Sequence, residues 1–422
     1  MNTGKIKQRR AALLLALLMI FAMSGCMATD VEELYSLPRQ SEEYVQLQEL
    51  IAQRIDEGGE FAAPLSGSYR QSVQLQDLDG DGLAEAIVFL ADGDHTPTVC
   101  LYRQDGEGNY GLYVIIRGEG SAVNSVEYAD LNGDGVTEFI ISWQISGDIH
   151  LLSIYDLSRE EPVEIFSADS TAFLAGDLDG DGLEELLDLR IDYVGGSSLV
   201  MYKVNGENTV TASRANLSAG ITEVRRARIG YLADETPALF VESLWGENSL
   251  ITDVFVVASG LENITMASSG ASNTVRGSQA YAGDINADRA MEIPESAGDV
   301  LNWYGLDAAG RRTLAMTTYH DYEDGWYLIL PEELVPNLTA QEQSGEAQEK
   351  TVAFSGRDGE LFAIYTLTGE NRMDRATAGA RFLLRQEETT VYAAELFTEE
   401  LTAEELRENF NLIYSEWQTG DL

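Results

Sequence analysis

The chain reads as mainly β: a β-propeller of five visible units in a ring of five to seven blades, followed by a small α+β C-terminal domain. Three observations predict this. An acidic, self-similar unit recurs about every 50 residues. Short β-branched and aromatic runs follow each clear copy, and the pattern changes after residue 325.

The unit reads DLDGDGLAE at 77–85, DLNGDGVTE at 130–138 and DLDGDGLEE at 177–185, with a weaker copy, DINADRAME, at 284–292. Between the last two lies 231–240 (YLADETPALF), a shortened copy without the acidic loop. Each clear loop leads into an apolar strand-like run, at 86–90, 139–143 and 186–189. A second run ending in tyrosine follows at 98–102, 151–155 and 199–202. Three or four strands per unit with polar turns between them is the pattern of a propeller blade, which places the propeller at 60–325.

Residues 326–422 break this rhythm. Strands are predicted at 326–330, 351–354, 361–367 and 381–384, with a polar loop at 341–350. A closing helix is predicted from the capping box TAEE at 402–405, with Leu406, Phe410, Ile413 and Trp417 on one face.

The amino terminus reads as a processing signal. Lys5, Lys7, Arg9 and Arg10 precede the apolar run 11–22, which is too short to cross a bilayer core of about 30 Å at about 1.5 Å per residue. The run ends in MSGC at 23–26, which resembles the lipobox cut by bacterial lipoprotein signal peptidase. That resemblance implies a signal peptide at 1–25, acylation of Cys26, and residence on the outer face of a bacterial cell membrane. Acyl chains anchor stably when two or more are present, each buried methylene contributing about 0.8 kcal/mol.

A tether and a helix fill 26–59. Ser41 is the expected N-cap, Tyr44, Leu47, Ile51 and Ile55 share one face, and Gly58 and Gly59 stop the helix. Cys100 is the other cysteine of the chain, so no internal disulfide is expected once Cys26 is acylated, and stability must come from a core, from metals or from both. An apolar fraction of 44% argues for a folded chain. The net charge of −44 disfavours nucleic acid and anionic lipid as partners and favours cations.

The loops carry the chemistry. Carboxylate or amide oxygens at positions 1, 3 and 5, glycine at 6 for a sharp turn, and a backbone carbonyl at 7 form a hard-cation ligand set suited to calcium. An EF-hand would need a bidentate glutamate at position 12, where the chain has Val88, Ile141 and Asp188. Glutamate stands instead at position 9.

In this the chain resembles the FG-GAP and VCBS-type repeat family, related to the propeller of integrin α-subunits. The resemblance implies side-chain ligands at Asp77, Asp79, Asp81 and Glu85; at Asp130, Asn132, Asp134 and Glu138; and at Asp177, Asp179, Asp181 and Glu185. Leu83, Val136 and Leu183 would add carbonyls. A weaker set is Asp284, Asn286, Asp288 and Glu292, where Arg289 replaces the glycine. Such ions usually brace a blade.

His95, His150 and His320 lack ligand spacing and are expected at the surface, and the tryptophans are expected mostly in blade cores and seams. No G-x-S-x-G, H-E-x-x-H or phosphate-loop pattern is present. The expected function is therefore a lipid-anchored extracytoplasmic binding or scaffolding protein with structural Ca2+ sites and an envelope protein or glycan as partner, not an enzyme. Alternatives are an enzyme acting on polysaccharide or phosphate esters at the propeller face, and an accessory subunit of an envelope complex.

Overall fold

A computed structural model describes residues 42–413, except 148, 160, 193, 345–347 and 400. The leader, Cys26, the tether, Ser41 and Trp417 lie outside the described residues. The mainly β expectation holds: six antiparallel sheets follow one another along the chain.

The first sheet contains Glu60–Phe61, Val73–Gln76, Glu85–Ala91, Pro97–Gln104 and Tyr110–Arg117. The second is the meander Ala122–Ala129, Glu138–Ser146, Ile149–Asp156 and Val163–Ser170, and the third is Ala172–Gly176, Glu185–Arg190, Ser198–Val204 and Val210–Asn216. The fourth holds Ile221–Tyr231, Pro237–Trp245, Ser249–Val257 and Leu261–Asn263, with Arg276–Gly277 on its edge. In the first three sheets the acidic loop joins two neighbouring strands, and in the fourth the shortened copy does so.

Side-chain alternation explains the packing. Along Glu85–Ala91 and Pro97–Gln104 successive residues point to opposite faces, and both faces are apolar. Ile87, Phe89, Val99 and Leu101 pack on Val126, Phe139, Ile141 and Trp143 of the second sheet. From the second sheet Ile140, Leu152 and Ile154 meet Leu186, Val200 and Tyr202 of the third. Leu187, Leu189, Leu199 and Met201 then meet Leu239, Val241, Ile251 and Phe255 of the fourth. The sheets thus stack face to face in chain order.

The two ends of the series are covered by helices. Leu47 and Ile51 of the helix Glu42–Asp56 cover Ala86, Val88, Leu90, Cys100 and Tyr102 on the outer face of the first sheet. Cys100 is buried there as a free thiol. At the other end Ala376, in the helix Arg372–Ala376, packs on Ala363, Tyr365, Leu367, Val391 and Ala393 of the sixth sheet. Among the described residues no hydrophobic core cluster joins the sixth sheet to the first.

The carboxy-terminal part is woven into this series. Trp326–Leu330 pairs with Arg312–Asp321 and completes the fifth sheet with Glu292–Ala297 and Val300–Leu306. Phe410–Leu412 returns to pair with Trp326–Leu330. The boundary expected at 325/326 therefore falls in the turn between two paired strands. The sixth sheet comprises Thr339–Ser344, Glu349–Gly356, Gly359–Thr368, Thr390–Leu396 and Phe382–Gln386.

Two local expectations need correction. Within the stretch 341–350, Gln341–Ser344 and Glu349–Lys350 are not loop but strand, with Thr339–Ser344 pairing to Glu349–Gly356. Thr339–Ser344 is an edge strand on which Ala340 packs against the core while Thr339 and Gln341–Gln343 are exposed, so its sequence is mostly polar. The closing helix has its capping box, but it stops at Asn409. Phe410 turns extended and buries its ring against Trp326 and Tyr392, a stronger apolar contact than another helical turn offers.

Gly118 sits where the edge of the first sheet meets the fully buried Trp143, and a Cβ there would overlap the indole. Gly118→Ala is expected to cost about 1–3 kcal/mol by overpacking. Urea unfolding checks this, with Gly111→Ala, where a Cβ meets open space, as the control.

Candidate metal centres

Each loop is first an internally hydrogen-bonded turn. In the first, Asp77 accepts the N–H of Gly80 through Oδ1 (2.8 Å) and that of Gly82 through Oδ2 (3.0 Å). Asp79 and Asp81 accept from the amides two residues on, at 3.3 and 2.7 Å. Gly80 and Gly82 have φ of 71° and 86°, values that only glycine adopts without strain, which is why the motif alternates Asp and Gly. The second and third loops repeat this pattern, with distances of 2.7–3.2 Å.

The position-9 glutamate closes each turn. Glu85, Glu138, Glu185 and Glu292 each begin the next strand and are at most 2% exposed. One carboxylate oxygen of each accepts the N–H of position 2: Leu78 (2.8 Å), Leu131 (2.8 Å), Leu178 (2.9 Å) and Ile285 (3.1 Å). Burial raises the pKa of all four despite these donors, to about 8 for Glu138 and about 7 for Glu292. Neighbouring aspartates add to the rise, as Asp134 and Asp130 do for Glu138.

A cation would relieve that cost, and the first loop has the geometry to hold one. Single oxygens of Asp77, Asp79 and Glu85 lie within 4.8 Å of one another. Oxygens around one calcium at about 2.3–2.6 Å can be no more than about 5 Å apart. Asp177, Asp179 and Glu185 of the third loop form the same group. Two acidic clusters, each built on a buried glutamate, could thus hold a metal ion of the calcium type, and Asp81 and Asp181 stand beside them.

What the loops place opposite the glutamate differs, and the motif does not reveal it. Strand register puts Arg103, Asp156 and Lys203 just beyond the tyrosines that pair with Ala86, Phe139 and Leu186. Lys203 turns into the third loop, where its Nζ meets Asp179, lies 2.7 Å from Asp181 and 3.2 Å from Glu185. Burial alone would lower its pKa, but these three carboxylates raise it. The third loop therefore carries an ammonium at its acidic centre, competing with any metal.

Arg103 turns away from the first loop, donating to the carbonyl of Leu157 (2.8 Å) and lying over Tyr113. In the second loop Asn132 directs Nδ2 to Glu138 (2.8 Å) and to Asn208 (3.1 Å), so an amide N–H stands where the first loop has an Asp79 oxygen. The fourth copy uses Asn286 in a similar way, bonded to Asp288 at 2.8 Å, and its glycine positions are filled by Ala287 and Arg289 at φ of 60° and 80°. Arg289 offers its backbone N–H to Asp284 (2.9 Å).

The histidines divide. His95 is exposed and His150 approaches the carbonyl of Thr171 (3.1 Å). His320 is not the surface residue expected: it stacks between Trp303, Tyr322 and Tyr327, where aromatic area outweighs hydration of the ring. Trp143, Trp303 and Trp326 fill the core, while Trp245 is 37% exposed.

Comparison with known families agrees with the loop geometry. Residues 77–141, spanning the first loop, the rest of its sheet and the second loop, match the FG-GAP-like repeat. No curated protein matches the chain.

Lys203→Met is expected to separate ammonium from metal. Without metal it should lower stability by about 1–3 kcal/mol, because the buried Glu185 loses its partner. With calcium it should gain one binding equivalent over wild type in calorimetric titration, and an unchanged stoichiometry would contradict the competition.

Glu138 supplies a pH test. Its folded pKa is raised, so the folded state binds more protons between the unfolded value and about 8, and stability falls as pH rises through that window. In chelator, Glu138→Gln should flatten the decline of Tm between pH 5 and 8 relative to wild type.

Proposed function

We propose that this chain is a lipid-anchored extracytoplasmic binding or scaffolding protein of a bacterial envelope, built on a propeller-type series of blades braced by calcium. The observation that carries this reading is the first loop: three converging carboxylates that close onto their own turn and onto the start of a strand. Chemistry directed inward in this way stiffens a platform rather than attacking a substrate. The helices over both outer faces support an arc of blades with capped ends.

The amino-terminal sequence supplies the location. Cys26 would carry the lipid, 16 residues before the helix Glu42–Asp56 begins. Among the described residues no helix is long and apolar enough to cross a membrane. The partner is an envelope protein or glycan, and the acidic surface keeps nucleic acid and anionic lipid headgroups away.

Fatty-acid probe labelling should mark the wild type and not Cys26→Ser; equal labelling of the two would remove the anchor. Pull-down from envelope extracts should retain partners in calcium and lose them in chelator. If the first loop binds at about 0.1 mM, then about 1 mM calcium adds roughly 1.4 kcal/mol of stability. Asp79→Ala should abolish that rise in Tm.

A further inference from the structure

The fourth and fifth sheets enclose a cavity of about 170 Å³ whose walls are basic and aromatic in an otherwise acidic protein. A cavity of about 150 Å³ accepts one benzene, so this volume suits one substituted ring. Arg226, Arg228, Tyr281, Trp303, His320 and Tyr322 line it.

Charge is unbalanced behind this wall. Arg226 donates to Glu242 from Nε (2.8 Å) and brings Nη2 within 2.6 Å of the same oxygen, and Arg276 pairs with the other oxygen of that carboxylate. Arg226, Glu242 and Arg276 are at most 4% exposed. Backbone carbonyls of Thr274, Ala280 and Ala282 accept three further guanidinium hydrogen bonds, but carbonyls bring no charge. Two buried cations therefore share one anion, and burial lowers the pKa of Arg276. Arg228, exposed at the cavity, makes no hydrogen bond or ion pair among the described residues and adds a further positive charge. Asp284, also on the wall and held by the amides of Asp288 and Arg289, returns one negative charge, so that the three guanidiniums of Arg226, Arg228 and Arg276 stand against the two carboxylates of Glu242 and Asp284.

Hydrogen-bonding capacity is unspent at the same place. Both ring nitrogens of His320 and the hydroxyl of Tyr322 are buried without a partner. Leaving such groups unpaired costs about 1–3 kcal/mol each. Burial holds His320 neutral, with its pKa lowered to about 3, so its ring offers one donor and one acceptor. The rings are held in place: Trp303 donates to Thr318 (2.7 Å), His320 stacks on Tyr327 with centroids 5.1 Å apart, and Arg226 lies over Tyr281.

We propose that this cavity binds a small organic anion: a single ring bearing one carboxylate and several hydroxyl groups, of the hexuronic acid class. The carboxylate answers the excess guanidinium charge, the hydroxyls pair with His320 and Tyr322, and the ring face lies against the aromatic wall. The inference deepens the binding role proposed above and rests on that reading.

The test is calorimetric titration of the purified full chain with glucuronate, with glucose as the neutral ring and benzoate as the anion without hydroxyls. Glucuronate should saturate with a Kd on the order of 1 mM or below, and each comparison compound should bind about tenfold more weakly or worse. Arg228→Gln, a change at an exposed side chain, should weaken glucuronate about tenfold, and Tyr322→Phe several-fold, with near-ultraviolet circular dichroism unchanged. Glucose or benzoate binding as tightly as glucuronate would overturn the assignment, as would non-saturating heats or an unaffected Arg228→Gln. No envelope material enters this titration, so its failure removes the cavity site alone and leaves the envelope pull-down to judge the wider role.

Discussion

The bond from a buried glutamate to the amide seven residues before it is the constraint on which the architecture rests. It fixes position 2 of each loop, and position 2 is a core plug. Leu78 packs between the first and second sheets, Leu131 between the second and third, and Leu178 between the third and fourth. Ile285 packs with Trp303 and Tyr327. Even the shortened copy keeps the plug: Leu232 is 1% exposed between the fourth and fifth sheets, its amide bonded to Thr236 (2.9 Å). The acidic loop is thus the device that inserts one apolar side chain between successive sheets, and any cation acts on a turn already shaped for that purpose.

Burying a carboxylate demands compensation, and the repeats meet the demand in different ways. The first leaves its carboxylates facing one another, and the second and fourth turn an asparagine amide inward. The third brings Lys203 across from the neighbouring strand. A shared motif therefore does not make the loops chemically equal, because the residue across the glutamate sets the balance. The fourth sheet takes another course, with Arg226 and Arg276 around the buried carboxylate of Glu242. The excess of positive charge there sets it apart from the rest of this acidic chain.

Much of this was legible in the sequence. The spacing of the acidic unit located the repeats, and the apolar runs after each loop lie inside observed strands. What escaped was long-range. Lys203 is 18 residues beyond Glu185 and is recognisable as its neighbour only through strand register. The pairing of Phe410–Leu412 with Trp326–Leu330 joins segments some 80 residues apart, so helical periodicity misled at 410–412. The edge strand Thr339–Ser344 resembles a loop because only Ala340 of its described side chains packs against the core. His320 looked like a solitary surface histidine because its aromatic neighbours Trp303 and Tyr327 come from adjoining strands.

Amide hydrogen exchange by NMR tests the central constraint most directly. The position-2 amides of Leu78, Leu131, Leu178 and Ile285 should exchange as slowly as the central strand amides of their own sheets, even in chelator, because buried glutamates hold them. Exchange of these four amides as fast as that of Gly80, Gly82, Gly133 and Gly135, on the exposed outer turn of the same loops, would contradict the account.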